Sequence, residues 1–427
     1  MWLAAFASLL LAAMVVSFGA GVWASPYLRG QADLPAAPSD VSPDLAPFLR
    51  AWSLVDEAFV FRDAVDGRRM AYGAIRGMLA TLGDEGHTRF LSPEDRKVEE
   101  NSLSGRFEGI GAEVGTRDGQ ATIVAPIEDS PAERAGLRAG DVIVEVDGVD
   151  VAKMALGDVV ALIRGPRGAA VRLGIRRPGQ ADPLRFVIVR DVIAVQMVTW
   201  AMVPGTSVAH VRIAQFGQGT DVELRRAIRG AQAEGAVALV VDVRSNPGGL
   251  LGEAVAVASE FMDEGVVLWQ EDRDGQRTPL RVRRGGLAVD LPIVVLADQG
   301  TASAAEILSG AMQDNVRARV VGVSTFGTGT VLTPYPLGDG SAILLGTSQW
   351  LTPDGRAIRK RGIRPDLPVP LPADAEMLTP RRERSLSDEQ VRQSGDVQLL
   401  TALDLIESHQ TRPALPRRGR VAVAVAE

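Results

Sequence analysis

The sequence predicts an α/β core preceded by a small, mostly β domain and a helical segment, and three observations carry this. From Gly205 onward, strand-like apolar runs at 208–213, 237–243 and 293–296 alternate with helical runs at 222–233, 251–262 and 304–312. Such alternation is the pattern of a layered core with a largely parallel sheet. Between 105 and 193, β-rich runs are separated by turn signals, as in FEGIGAEVGTRDGQATIVAPI and DSPAERAGLRAGDVIVEVDGVDV, which reads as an antiparallel domain with one or two helices. Between 42 and 82, apolar residues recur at helical spacing (Leu49, Trp52, Val55, Phe59; then Ala74, Ile75, Met78, Leu79), giving two or three helices that end at Gly83-Asp84-Glu85-Gly86.

The elements fall into an ordered chain. Residues 1–27 read as a signal peptide or membrane anchor, because no charged side chain occurs from Trp2 to Tyr27 and the run is long enough to cross a bilayer. Val22 and Ala24 offer small residues for a cleavage site, while the start lacks Lys and Arg, so cleavage and anchoring both stay open. Residues 28–47, rich in Pro, Ala, Ser and Asp, read as a linker, and 48–104 as a helical segment. The β domain then spans 105–193, the α/β core 194–372, and a charged, Pro- and Arg-punctuated tail 373–427, with one helix near 396–408.

Composition narrows the chemistry. The 427 residues carry 46 Lys+Arg against 53 Asp+Glu, a net charge of −7, and 46% are hydrophobic, which excludes a disordered polymer and a basic nucleic-acid binder. No nucleotide-binding G-x-x-x-x-G-K-[ST] and no interleaving of basic and aromatic residues is present. Zero cysteines exclude disulfides, thiolate zinc and a Cys nucleophile; three histidines, His87, His210 and His409, leave little for a metal site. No metal or cofactor is expected, and hydrolytic chemistry must rest on hydroxyls or carboxylates. Only three lysines occur, Lys97, Lys153 and Lys360.

Within the β domain, Gly109-Ile110-Gly111-Ala112 precedes a strand, and Ser130-Pro131-Ala132-Glu133-Arg134-Ala135-Gly136-Leu137 leads to Gly140-Asp141-Val142-Ile143. Together these resemble a PDZ domain. A Gly-x-Gly turn beside a strand edge lets backbone N–H groups clasp a peptide carboxylate while the edge accepts the peptide as an added strand.

The core holds three segments in order: Asp242-Val243-Arg244-Ser245-Asn246-Pro247-Gly248-Gly249-Leu250, Gly300-Thr301-Ala302-Ser303-Ala304-Ala305-Glu306-Ile307-Leu308, and Ser324-Thr325-Phe326-Gly327-Thr328-Gly329-Thr330-Val331-Leu332. With Leu351-Thr352-Pro353-Asp354-Gly355 and Gly362-Ile363-Arg364-Pro365-Asp366, they resemble the carboxyl-terminal processing peptidases, the S41 family of serine proteases. The resemblance runs from about Ser42 to Leu405 and implies a core related to the crotonase and Clp protease fold.

The resemblance places Ser303 at the nucleophile position. The residues themselves allow that role, since a Ser on a small-residue turn that opens a helix presents its hydroxyl without crowding; they equally allow a capping box with Glu306. The family's oxyanion donors map to Gly249, or Gly248, and to Ala304, where glycine permits close approach of the backbone to a substrate carbonyl. One departure matters most. The family's general base is the lysine of T-F-G-K-G-x-V-Q, and this chain reads T-F-G-T-G-T-V-L, with Thr328 at the lysine position and Leu332 at the glutamine position. A threonine hydroxyl does not serve as the base at neutral pH. His87 is the substitute the sequence offers, as tricorn-type relatives pair Ser with His; it can equally serve only to hydrogen-bond its turn. Lys360 lies in a run of charge and reads as a solvated hairpin residue.

Two functions follow. One is an extracytoplasmic, membrane-associated serine peptidase whose PDZ domain captures the C-termini of exported or membrane proteins and presents them to Ser303. The other is a non-catalytic homologue that binds C-terminal peptides as a scaffold or regulator.

Overall fold

The computed structural model describes residues 43–409, apart from 85, 86, 118, 128, 129, 139, 155, 181, 195, 373 and 374, together with residue 411. The apolar N-terminal run and most of the expected linker lie outside the described residues. No helix among those described is long and apolar enough to cross a membrane.

The described residues divide into two units, 43–92 with 333–345, and 93–332 with 346–411. In the first, a 3-10 turn at Pro43–Leu45 leads into α1 (Ala46–Ala58) and α2 (Gly67–Ala80). Asp66 caps α2 by accepting the Arg69 N–H at 3.0 Å, the expected use of a carboxylate at a helix start. The short strand β1 (Arg89–Leu91) pairs antiparallel with residues 342–344.

The second unit opens with α3 (Pro93–Leu103) and β2 (Arg106–Gly109). A β domain follows: β3 (Ala112–Arg117), β4 (Gln120–Pro126), α4 (Pro131–Arg134), β5 (Val142–Val146), β6 (Val149–Asp150), α5 (Leu156–Ile163), β7 (Ala170–Arg176) and β8 (Leu184–Val189). Its sheet runs β3-β4-β5-β7-β8, with β6 on β5, around a core that includes Ile123, Ile143, Leu173 and Ile188. The chain leaves through β9 (Asp191–Ala194), which pairs antiparallel with β2, so entry and exit lie side by side as an insertion requires.

The α/β core comprises β10 (Val198–Met202), β11 (Val208–Ile213), α6 (Thr220–Ala233), β12 (Ala238–Asp242), α7 (Leu251–Ser259), β13 (Val266–Asp272), β14 (Arg277–Arg281), β15 (Ile293–Ala297), α8 (Ala304–Asp314) and β16 (Arg319–Gly322). Then come β17 (Thr330–Pro336), β18 (Ala342–Leu351) and β19 (Leu367–Pro368). The central sheet runs β10-β11-β12-β15-β16-β19; β10 is antiparallel to β11 and the other pairs are parallel. Its inner strands are largely apolar because both faces are covered. Leu239 and Val241 of β12 and Ile293 and Val295 of β15 join the cluster under α6, α7 and α8, while Val240, Val294 and Leu296 meet the C-terminal segment on the other face.

That segment corrects the expectation of a charged tail with one helix. Among its described residues three helices form, α9 (Pro380–Glu383), α10 (Asp388–Arg392) and α11 (Val397–Glu407), and Leu378, Val391, Leu399 and Leu403 are buried against the sheet. Frequent Arg and Glu hide this apolar face in the sequence.

Because β12 and β15 are adjacent and parallel, the chain leaves both at one edge, the usual location of a site in an open α/β sheet. The Asn246-Pro247-Gly248-Gly249 turn follows β12 and the Ser303 turn follows β15.

Candidate active site

Ser303 is the residue before α8, and its backbone lies at φ 53°, ψ −118°. Positive φ in a residue with a Cβ costs about 1–3 kcal/mol and persists only where the surroundings hold it. A strand, a sharp turn and a helix follow one another here, with the serine in this conformation at the head of the helix. The surroundings are visible here. The Ala302 N–H donates to the Asn246 carbonyl at 2.9 Å, the Phe326 N–H to the Thr301 carbonyl at 3.0 Å, and Thr301 Oγ1 to the Val243 carbonyl at 2.8 Å. Asp298 Oδ1 accepts from the N–H groups of Gly300 and Ser245 at 2.9 and 2.7 Å, tying the two turns together.

Ser303 and Glu306 also form a capping box at the head of α8: the Glu306 N–H goes to the Ser303 carbonyl at 2.9 Å, and Glu306 Oε2 accepts the Ser303 N–H at 2.9 Å. Glu306 is fully buried and does more than cap. Oε1 accepts from Thr325 Oγ1 and from the Gly327 N–H at 2.7 Å; Oε2 accepts from the Thr328 N–H at 3.0 Å and from Thr328 Oγ1 at 2.6 Å. Burial pushes its carboxyl above the ordinary range, opposed by the Thr325 and Thr328 hydroxyls.

Thr328 therefore stands beside the serine. Its Oγ1 accepts the Ser303 N–H at 2.6 Å and donates to Glu306 Oε2. Lys360 meets the same loop through its backbone, donating N–H to the Gly327 carbonyl at 2.8 Å, and the residue is exposed. His87 belongs to the first unit. It is half-buried in the turn before β1, its N–H bonds the Asp84 carbonyl at 3.2 Å, and burial lowers its imidazole's proton affinity against the pull of Asp84.

The glycine turn is built to leave a space. A Cβ on Gly248, at φ 98°, would lie 2.6 Å from Ser303 Cβ and 2.9 Å from the Ala304 nitrogen, so only glycine fits. The Gly248 N–H is already used, donating to Asn246 Oδ1 at 2.8 Å, and its carbonyl accepts from the Phe216 N–H at 2.8 Å. Of the two glycines considered as oxyanion donors, Gly248 is thus spent. Among the described residues the N–H groups of Gly249 and Ala304 have no hydrogen-bond acceptor.

Behind the turn lies a charged network that local sequence patterns do not reveal. Asp242, at the end of β12, accepts from Arg244 Nε at 3.0 Å and Nη2 at 2.9 Å, and Arg244 Nη1 reaches Asp396 Oδ1 at 2.9 Å. His210 on β11 is wholly buried between Asp242 Oδ2 at 3.1 Å and Glu383 Oε1 at 2.6 Å. Burial alone would lower the His210 pKa, yet Glu383 with Asp242 outweighs it and raises it to about 9. Asp242 is held well below the usual carboxylate range because Arg244 and His210 overcome its own burial.

A second candidate site is in the β domain. Gly111 has φ 76°, and a Cβ there would strike Ser130 Cβ at 2.3 Å. The carbonyls of Ile110 and Gly111 accept from the Ala132 and Ile127 N–H groups at 2.7 and 2.9 Å, which anchors the loop. A cavity of about 190 Å³ lies between this run and α5, lined by Ile110, Ala112 and Val114 on one side and Val160, Ile163 and Arg164 on the other. Among the described residues no cluster of side chains is arranged to hold a metal.

Comparison with known proteins decides the family. The Peptidase family S41 model matches residues 207–369 and the PDZ domain model residues 122–177. The carboxyl-terminal-processing protease of Synechocystis is 36% identical over 362 residues, which cover 83% of this chain and 81% of that protein. The chain belongs to the carboxyl-terminal processing proteases. A second member, the Bacillus subtilis carboxy-terminal processing protease CtpA, is 37% identical over 313 residues, 73% of this chain and 66% of its own. A Bacteroides fragilis protein solved as a candidate S41 protease superposes with a TM-score of 0.56 at 17% identity, covering 88% of this chain and 99% of that one, and shares the fold. At the loop beside Ser303 this chain reads Thr325-Phe326-Gly327-Thr328-Gly329.

Proposed function

We propose that this chain is an extracytoplasmic peptidase, tethered or exported through residues 1–27, that trims C-terminal segments of exported or membrane proteins. The β-domain groove takes the substrate's C terminus by strand addition along β3, with the carboxylate at Gly109-Ile110-Gly111-Ala112. Ser303 Oγ attacks the scissile carbonyl, and the N–H groups of Gly249 and Ala304 receive the oxyanion. The observation that carries this reading is the strained Ser303 backbone at the head of α8, with two unengaged N–H groups beside it. Strain of this kind is retained where a site needs it.

A second reading rests on Thr328. Without a base, a positioned serine and an oxyanion hole retain only about 10³- to 10⁴-fold over the uncatalysed rate, and the chain would act as a C-terminal-peptide-binding scaffold. His87, the substitute base that the sequence offers, is included in the test. The test is to incubate the full chain, in detergent, with an unfolded protein bearing an apolar C terminus, alongside Ser303→Ala, Thr328→Lys and His87→Ala. Cleavage lost in Ser303→Ala supports the peptidase. Peptide binding without cleavage, with activity appearing only in Thr328→Lys, supports the scaffold. Loss of cleavage in His87→Ala assigns the imidazole.

A further inference from the structure

The Thr328 hydroxyl is placed to do more than fill the space of a lost amine. It carries one proton and two lone pairs. The proton goes to Glu306 Oε2 at 2.6 Å, and one lone pair accepts the Ser303 N–H at 2.6 Å. A second lone pair is left on Thr328 Oγ1, and the residue that bonds the first is Ser303 itself. The carboxylate at the far end is buried, and its other oxygen is held by Thr325 and Gly327, so it is fixed in place and shielded from water.

We infer that Thr328 relays the Ser303 proton to Glu306, so that a buried carboxylate performs the task the family's lysine performs elsewhere. This rests on the peptidase reading of the site and names its proton acceptor. As Ser303 Oγ bonds to the carbonyl carbon, its O–H proton passes to Thr328 Oγ1, and the Thr328 proton passes to Glu306 Oε2. The carbonyl π pair moves to the oxygen facing Gly249 and Ala304. Glu306 is then a neutral carboxylic acid. When the tetrahedral species collapses, the proton returns through Thr328 to the leaving amine nitrogen and the C–N bond breaks. Water then repeats the sequence on the acyl-enzyme, and serine and carboxylate are restored. A carboxyl raised by burial is a better base than an exposed one.

The test uses the full chain with Thr328→Val and Thr328→Ser. Valine keeps the volume and the Thr328 N–H bond to Glu306 while deleting the hydroxyl, and serine restores the hydroxyl. Ser303-dependent turnover is expected to fall about 100-fold or more in Thr328→Val and to stay within about 10-fold in Thr328→Ser. A purely structural hydroxyl would give the same pair of rates, so kcat is also measured in mixtures of light and heavy water. Two protons in flight make the plot of wild-type rate against deuterium fraction bow downward. A straight plot, or Thr328→Val with wild-type turnover, overturns the relay and leaves the peptidase standing. No Ser303-dependent turnover in the wild type overturns both.

Discussion

Replacing His210 by Gln tests whether the network behind the glycine turn is ionised. His210 is wholly buried between Glu383 and Asp242, and Asp242 is shared with Arg212 at 3.3 Å and with Arg244. In the unfolded chain an imidazole titrates near 6.5, and in the folded protein it holds its proton to about pH 9. Each tenfold change in proton affinity is worth about 1.4 kcal/mol, so this contact contributes about 3 kcal/mol to the folded state. The contribution is fully present below pH 6.5, where both states carry the proton, and declines to nothing as the pH rises through 9. Urea unfolding followed by tryptophan fluorescence between pH 6 and 9.5 should therefore show the wild type losing about that much. Glutamine hydrogen-bonds without titrating, so His210→Gln should start lower and lose much less over the same interval. A wild-type stability flat across the interval, or an equal decline in both proteins, would refute an imidazolium at this position.

Other outcomes follow from the same geometry. Gly248→Ala forces a Cβ to within 2.6 Å of Ser303 Cβ at a positive φ, and should cost about 2–5 kcal/mol in urea unfolding and abolish cleavage. Gly111→Ala drives a Cβ against Ser130 at 2.3 Å and should remove binding of C-terminal peptides by calorimetry while Ser303 still reacts with a small ester. Arg244→Met leaves Asp242 and Asp396 facing each other without their shared cation, and should destabilise the chain by about 3–5 kcal/mol, read by the same denaturation.

Much of this was legible in the sequence because it depends on local pattern. The buried strands β11, β12 and β15 are short, mostly apolar runs, α6 keeps one apolar face and α8 is buried from Ala304 to Met312, so their alternation needs no long-range information. Ser303, the glycine turn and Thr328 were legible as motifs. What escaped is what joins distant residues. His210 and Glu383 lie 173 positions apart and Arg244 and Asp396 152 apart, and nothing in a local window says that these charges will be buried together. Glu306 read as a cap because its spacing from Ser303 is that of a capping box; its bonds to Thr325, Gly327 and Thr328 come from a loop whose approach only the sheet order dictates. The short helices α9 and α10 were obscured because turns rich in Arg and Glu carry too few apolar residues to show a period, whereas α11 matches the helix expected near 396–408.

The central claim is that Ser303 is poised to attack a carbonyl although threonine occupies the lysine position. Treating the full chain with a fluorophosphonate and mapping the adduct by peptide mass spectrometry examines it directly. A single adduct on Ser303, formed in the wild type and absent from Ser303→Ala, is the predicted result. An unmodified Ser303 under conditions that label an active serine protease would contradict it.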